Sequence, residues 1–362
     1  MKIRKLLLSL GVFLMTPAFC HAENNDISNV INNDINFSTR QYSLMLQQIG
    51  REGKVRIPKT IDKLGRVVYI PIDDWCSGFF PGSLCYLYQL TNDKSWLLQS
   101  RRFTEALDSI QYLTWHHDVG FMIGSSYLNI YRLSPNKAYK KAIIQTAKSL
   151  CTRFRKKAGV IQSWNVDRGW QSKRGWTCPV IIDNMMNLEL LFEATRLSGD
   201  STYWKVAVSH ANKTLENQFR KDGSCYHVVD YDPNNGAVLH RQTAQGYADN
   251  SAWARGQAWA VYGYTVCYRY THDRKYLDQA VKTLNFVMQN PNLPEDLIPY
   301  WDFDAPNIPN EPRDASSAAC IASALYEMNN YLPDNGYTSL ADRIIRSLSS
   351  PEYRAPLGKN GC

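Results

Sequence analysis

Two aspartates stand where a proton donor would be useful. Asp118 closes the run Trp115-His116-His117-Asp118, and Asp183 sits in IIDNMMN with Asn184 and Asn187 beside it. An aspartate just ahead of an apolar periodic run commonly caps a helix by accepting from its orphan amides. Caps have no need of such neighbours, whereas a carbohydrate pocket combines aromatic walls with groups such as His and Asn that hold hydroxyls. A carboxylic acid kept protonated by a second carboxylate nearby can act as a general acid. The segment SAWARGQAW at 251–259 adds Arg255 and Gln257 between Trp253 and Trp259. Indoles alone would be ordinary core residues. A guanidinium at a helix start is instead a natural clamp for a carboxylate or sulfate, through its bidentate fork and the positive field of the helix end. His227 lies on an expected hairpin and fits either a ligand contact or an exposed polar residue. Trp75 with Ser77, and PRDASS at 312–317, complete the set of clusters.

These clusters open every second helix, while the helices between them begin on ordinary lysines, tyrosines and serines. That is the pattern of a closed ring of helical hairpins whose inner helices point their N-termini into one pocket. Apolar residues at helical spacing predict helices over 38–51, 77–90, 94–113, 119–133, 136–157, 184–198, 201–219, 253–270, 274–289, 315–331 and 336–349. Strand-like text appears at 159–180 and at 226–243, the latter a hairpin turning on PNNG. A degenerate turn recurs as YQLTNDKSW from 88, YRLSPNKAY from 131, TRLSGDSTY from 195 and YRYTHDRKY from 268. Its intervals vary, unlike those of an open solenoid with a fixed period. The expectation is an all-α, (α/α)6 barrel, a six-hairpin toroid.

The start of the chain reads as a secretory signal. Lys2, Arg4 and Lys5 precede the apolar run 6–15, and Cys20-His21-Ala22 offers a cleavage site before Glu23. The run is too short to span a membrane, so export to the periplasm or beyond is expected, with cleavage after Ala22. Losing those three cations and no anion takes the net charge from +8 to +5. That mild excess suits an anionic small ligand; nucleic-acid binding normally shows a basic stripe. Residues 23–36 are Asn/Asp-rich and read as a loose terminus, with one catalytic domain over 37–362. The cysteines form no C-x-x-C pair and none has a histidine at ligand spacing, so no metal site is expected.

HHDVGFM, VIIDNMMNLELLFEATRLSGD, QGYADNSAWARGQAWAVYGY and YWDFDAPNIPNEPRDASSAA together resemble glycoside hydrolase family 88, the unsaturated glucuronyl hydrolases. The resemblance runs from about Trp75 to the end of the chain. It implies an (α/α)6 barrel that removes 4,5-unsaturated glucuronic acid from the non-reducing end of lyase-generated glycosaminoglycan fragments, with no metal or organic cofactor. It implies Asp183 as general acid/base and Asp118 as a second essential aspartate. Trp75, His117, His227, Gln245, Trp253, Arg255 and Trp259 correspond to substrate-binding residues. The implied chemistry is protonation and hydration of a vinyl ether. Two other readings compete: a related unsaturated rhamnogalacturonyl hydrolase acting on pectin fragments, and a non-catalytic helical-repeat binding protein. The resemblance also implies a final inner helix beyond the LGKNGC stretch at 357–362. The ring is therefore expected to lack that helix, with an apolar gap beside 77–90 and 315–331.

Overall fold

The computed structural model describes residues 18–51 and 55–358. The greater part of the expected signal segment, and residues 359–362, lie outside the described residues. The described α-helices are α1 (Ala18–Arg51), α2 (Phe79–Thr91), α3 (Lys94–Glu105), α4 (Asn129–Leu133), α5 (Lys137–Cys151), α6 (Leu188–Ser198), α7 (Ser201–Asn217), α8 (Ala254–Thr271), α9 (Arg274–Met288), α10 (Ala315–Tyr331) and α11 (Tyr337–Leu348). A π-helical stretch, Gly120–Leu128, runs straight into α4, and a 3-10 stretch, Ile182–Asn187, runs into α6.

The recurring turn does what its composition dictates. Asp93, Asn136, Asp200 and Asp273 sit at the N-caps of α3, α5, α7 and α9, and each side chain accepts an amide of the first turn. Asn92, Gly199 and His272 end the preceding helices in the left-handed region. Each turn thus reverses the chain, pairing α2 with α3, α6 with α7 and α8 with α9; α10 and α11 pair likewise. The second member of each pair is amphipathic and outer. The first members are inner: α8 is buried from Ala258 to Val261 and again from Gly263 to Cys267. The π-helical stretch touches α2 and α6, α6 touches α8, and α8 touches α10. This is the (α/α)6 barrel architecture.

One small antiparallel sheet serves the pocket end. β5 (Pro179–Ile181) pairs with β6 (Val228–Tyr231), which pairs with β7 (Val238–Gln242). The β6–β7 hairpin is the one expected over 226–243. The region expected as strand text from 159 holds only β4 (Val160–Ile161), paired to β3 (Phe154–Arg155), then a long loop and β5. A further hairpin, β1 (Ile57–Ile61) with β2 (Val67–Ile70), was not expected.

The N-terminal expectation needs correction. Residues 23–36 are not loose but part of α1. Ile27 is buried, and Asp34 accepts from the Arg354 guanidinium at 2.9 Å and from the Ser349 hydroxyl. The Asn/Asp composition suggested a loose terminus, but the stretch continues α1, and Asp34 ties it to the far end of the chain. Next to it lies a groove of about 370 Å³ lined by Ile31, Ile35, Tyr42, Leu87, Leu90 and Ile345. Its lining, which also includes Asp34, Ser38, Ser83 and Tyr86, comes from α1, α2 and α11 and includes no residue of α10.

Candidate active site

The pocket is built where inner helices begin. β5 delivers the chain into the 3-10 stretch that carries Asp183, and Asp118 immediately precedes the π-helical stretch. The two starts are pressed together. Gly120 donates its amide to Asn187 Oδ1 at 2.7 Å, and a Cβ on Gly120 would lie 2.4 Å from that oxygen and 2.6 Å from Asn187 Cα. Only glycine permits this approach. Asn187 Nδ2 then reaches Asn184 Oδ1 at 2.8 Å and His117 Nδ1 at 3.2 Å, and Asn184 Nδ2 donates to the Ile161 carbonyl at 2.7 Å. The asparagines beside Asp183 therefore tie the two aspartate-bearing segments together.

Asp118 and Asp183 line one cavity of about 150 Å³, with Trp75, Trp164, Ile181, Gln245 and Arg255. Their surroundings push them apart in acidity. Burial raises Asp118, but His117 and His116 outweigh it and hold its carboxyl below the usual value. His117 Nε2 lies 3.2 Å from Asp118 Oδ1 and His116 Nδ1 lies 3.1 Å from Oδ2. Asp183 goes the other way. Burial first, and then the Asp118 charge, raise it to about 7, with Arg255 opposing. Two carboxylates separated in this way are suited to one protonated and one ionised role.

His227 is buried, and burial together with Arg255 lowers its pKa to about 3, so it is neutral at pH 7. Its Nδ1 accepts the amides of Ala244 at 3.0 Å and Gln245 at 3.1 Å. That assigns the ring proton to Nε2, which sits 3.7 Å from Asp183 Oδ2. Three buried polar atoms converge here without a hydrogen-bond partner among the described residues: Asp183 Oδ2, His227 Nε2 and Trp259 Nε1. Buried polar groups are otherwise paired almost throughout a folded protein, so this convergence marks a ligand site.

Arg255 donates to Asp314 Oδ2 at 2.7 Å and lies 4.9 Å from the Trp253 ring centre. Asp314 also caps α10 through the Ser317 amide. The PRDASS cluster thus orients Arg255. Trp253 and Trp259 pack with Phe121 as a buried aromatic floor, and Phe121 meets Trp75 edge-on at 5.5 Å. Every sequence-selected residue therefore falls at this site. Trp75, Asp118, Asp183, Gln245 and Arg255 line the cavity, while His117, His227, Trp253 and Trp259 stand behind it. Trp164 was missed: it lies in a loop without periodicity, where one tryptophan carries no local signal. Asp302 was missed too. It is buried and accepts the Tyr247 amide at 2.9 Å and the Ser251 hydroxyl at 2.7 Å, anchoring the loop that presents Gln245.

Glycosyl Hydrolase Family 88 matches residues 58–356. An unsaturated glucuronyl hydrolase of Formosa agariphila is 45% identical over 83% of this chain and 74% of its own length. The crystal structure of an unsaturated glucuronyl hydrolase specific for heparin aligns with a TM-score of 0.82 at 43% identity, covering 89% of this chain and 86% of that one. The unsaturated glucuronyl hydrolase of Bacillus sp. GL1, responsible for the degradation of glycosaminoglycan, aligns with a TM-score of 0.77 at 29% identity, covering 86% and 83%. On the motifs, the barrel and these matches, the chain belongs to glycosyl hydrolase family 88.

Proposed function

We propose that this protein removes the 4,5-unsaturated glucuronic acid from the non-reducing end of lyase-generated glycosaminoglycan oligosaccharides. The observation that carries the reading is the aspartate pair: two buried carboxylates in one pocket, with Asp183 raised to about 7 and Asp118 held low. At neutral pH a large fraction of Asp183 carries its proton. That proton passes to carbon 4 of the vinyl ether, the double-bond electron pair forming the new C–H bond. Positive charge develops at carbon 5 and the ring oxygen, and the ionised Asp118 stabilises it. Water then bonds to carbon 5 and returns a proton to the Asp183 carboxylate. The resulting hemiketal opens: the bond from carbon 5 to the ring oxygen breaks, carbon 5 becomes a ketone and its hydroxyl proton ends on the former ring oxygen. Carbon 1, now a hemiacetal, collapses to an aldehyde by losing its bond to the glycosidic oxygen, which takes up that proton and leaves with the partner sugar.

The remaining residues position the substrate. Arg255, oriented by Asp314, holds the uronate carboxylate. The His227 Nε2–H and Gln245 bind hydroxyls, and Trp75 walls the sugar ring. The activity of the relatives favours this reading over a pectin-directed hydrolase, and the buried aspartate pair favours it over a binding scaffold. The experiment is incubation with an unsaturated heparin or chondroitin disaccharide. The conjugated absorbance should fade as free hexosamine appears. Retained absorbance, or turnover of rhamnogalacturonan fragments alone, would overturn the proposal.

Export is part of the same proposal, resting on the basic start, the apolar run and the Ala22 site. Extracellular or periplasmic action places the enzyme where polysaccharide fragments arrive. N-terminal sequencing of the protein from the native host should begin at Glu23; a mature chain starting at Met1 contradicts export.

A further inference from the structure

Behind Asp118, buried side chains run from the Ile161 carbonyl to the His117 ring, and their hydrogens can be placed one by one. The Ile161 carbonyl can only accept, so Asn184 turns its Nδ2 towards it at 2.7 Å. Asn184 Oδ1 therefore faces Asn187, which donates to it from Nδ2 at 2.8 Å. The Gly120 amide can only donate, and it finds Asn187 Oδ1 at 2.7 Å. Both ends thus dictate the same orientation of the Asn187 carboxamide. Its second Nδ2 hydrogen is left for His117 Nδ1, 3.2 Å away. His117, Asn184 and Asn187 are fully buried, so bulk water does not compete for these bonds.

The consequence falls on the imidazole. Burial outweighs the adjacent Asp118 charge and keeps His117 below its usual pKa, so at pH 7 the ring is neutral and carries one proton. With Nδ1 accepting from Asn187, that proton stands on Nε2. Nε2 lies 3.2 Å from Asp118 Oδ1 and makes no aligned hydrogen bond with any other described atom. A neutral His116 does not duplicate this donor. Its Nε2 faces the Asp73 carbonyl at 3.3 Å, and its Nδ1 accepts the Asp118 amide at 3.2 Å. The other charged or titratable groups that His117 feels are Arg153 and His210. Arg153 is committed to the Gln162 and Thr114 carbonyls, and His210 Nδ1 accepts the Ile161 amide at 3.0 Å. A buried asparagine bonded to a histidine is most often only a satisfied pair. This one decides which ring nitrogen shows a proton to a pocket carboxylate.

We propose that Asn187 is a positioning residue of the hydrolase: it fixes the His117 proton on Nε2, where that proton holds the Asp118 carboxylate ionised and in place. The inference rests on the hydrolase reading above and adds a residue that acts through another. Neutron diffraction from crystals of the deuterated wild-type protein near neutral pD tests it first. His117 should carry deuterium on Nε2 and none on Nδ1. Deuterium on Nδ1, alone or on both nitrogens, overturns the assignment, and this reading needs no variant to fold. Asn187→Asp keeps the shape but offers Nδ1 only an acceptor, so in that variant His117 should carry deuterium on Nδ1. The ring then shows Asp118 a lone pair, or as an imidazolium offsets the Asp118 charge. With an unsaturated glycosaminoglycan disaccharide, kcat should fall about tenfold or more while KM changes little, the scale of loss seen when the partner that orients a working histidine is replaced. An unchanged kcat, or a bare Nδ1 in the variant, overturns the proposal. Failure of the wild-type protein to hydrolyse any unsaturated disaccharide overturns the hydrolase reading and the catalytic part of this one with it, whereas deuterium on the wild-type Nδ1 overturns this one alone.

Discussion

Asp183→Asn should lower kcat on an unsaturated glycosaminoglycan disaccharide by about 10²–10⁴-fold while leaving the fold intact, because an amide can neither give nor recover the proton. KM should change little, since the amide keeps the shape and much of the hydrogen bonding of the acid. Arg255→Ala supplies the contrast. It removes a charged contact to the uronate, so its main effect should be on KM, about 10-fold or more for a hydrogen bond to a charged group. Steady-state kinetics on both variants separate the two roles. Normal turnover by Asp183→Asn would remove Asp183 from the mechanism.

The same substitution should stabilise the protein at alkaline pH. Asp183 has its pKa raised from 3.8 to about 7 in the folded state. Between those values the folded state binds more protons at this site than the unfolded state, so stability falls as pH rises. The contribution is fully present below about pH 4 and is lost as pH rises through about 7. The cost of keeping the buried carboxylate ionised above that is on the order of a few kcal/mol. Asp183→Asn cannot ionise and escapes this cost. Its melting temperature should therefore exceed that of the wild type at pH 8–9, and the advantage should shrink as pH falls towards 4. Activity follows the same group: kcat should decline above pH 7 as Asp183 loses its proton. It should decline on the acid side only below the ordinary carboxylate range, because His117 and His116 keep Asp118 ionised. A melting difference independent of pH would contradict the buried, proton-holding Asp183.

Much of this was legible in the chain because local chemistry and global architecture agree. The four recurring turns announce their helix boundaries through Asp93, Asn136, Asp200 and Asp273, and the structure uses each as a cap. The pocket clusters were readable as candidates because histidine, asparagine and arginine next to aspartate exceed what a cap requires. What escaped depends on contacts between distant segments. Residues 23–36 are helical, and Asp34 among them pairs with Arg354 and Ser349, more than 300 positions away. Periodicity within the segment cannot reveal that. Expected helices also end early: 94–113 ends at Glu105 and resumes as a 3-10 helix over Asp108–Tyr112, and 136–157 stops at Cys151, ahead of the β3–β4 hairpin. Helix 119–133 was found, but Gly120–Leu128 within it wind as a π-helix. Such wider turns occur frequently at functional sites. Trp164 and Asp302 carried no signal, because a loop tryptophan and a loop aspartate acquire meaning only through what folds against them.

The central claim is that Asp183 delivers a proton to carbon 4 before the sugars part. Turnover of an unsaturated disaccharide in heavy water, followed by NMR at early times, tests it directly. Delivery from one fixed carboxyl group should place deuterium in a single stereochemical position at carbon 4, appearing in step with release of the partner sugar. Deuterium spread equally over both positions, or free uronate that still carries its double bond when it first appears, would mean that the glycosidic bond broke first and that carbon 4 was protonated in solution.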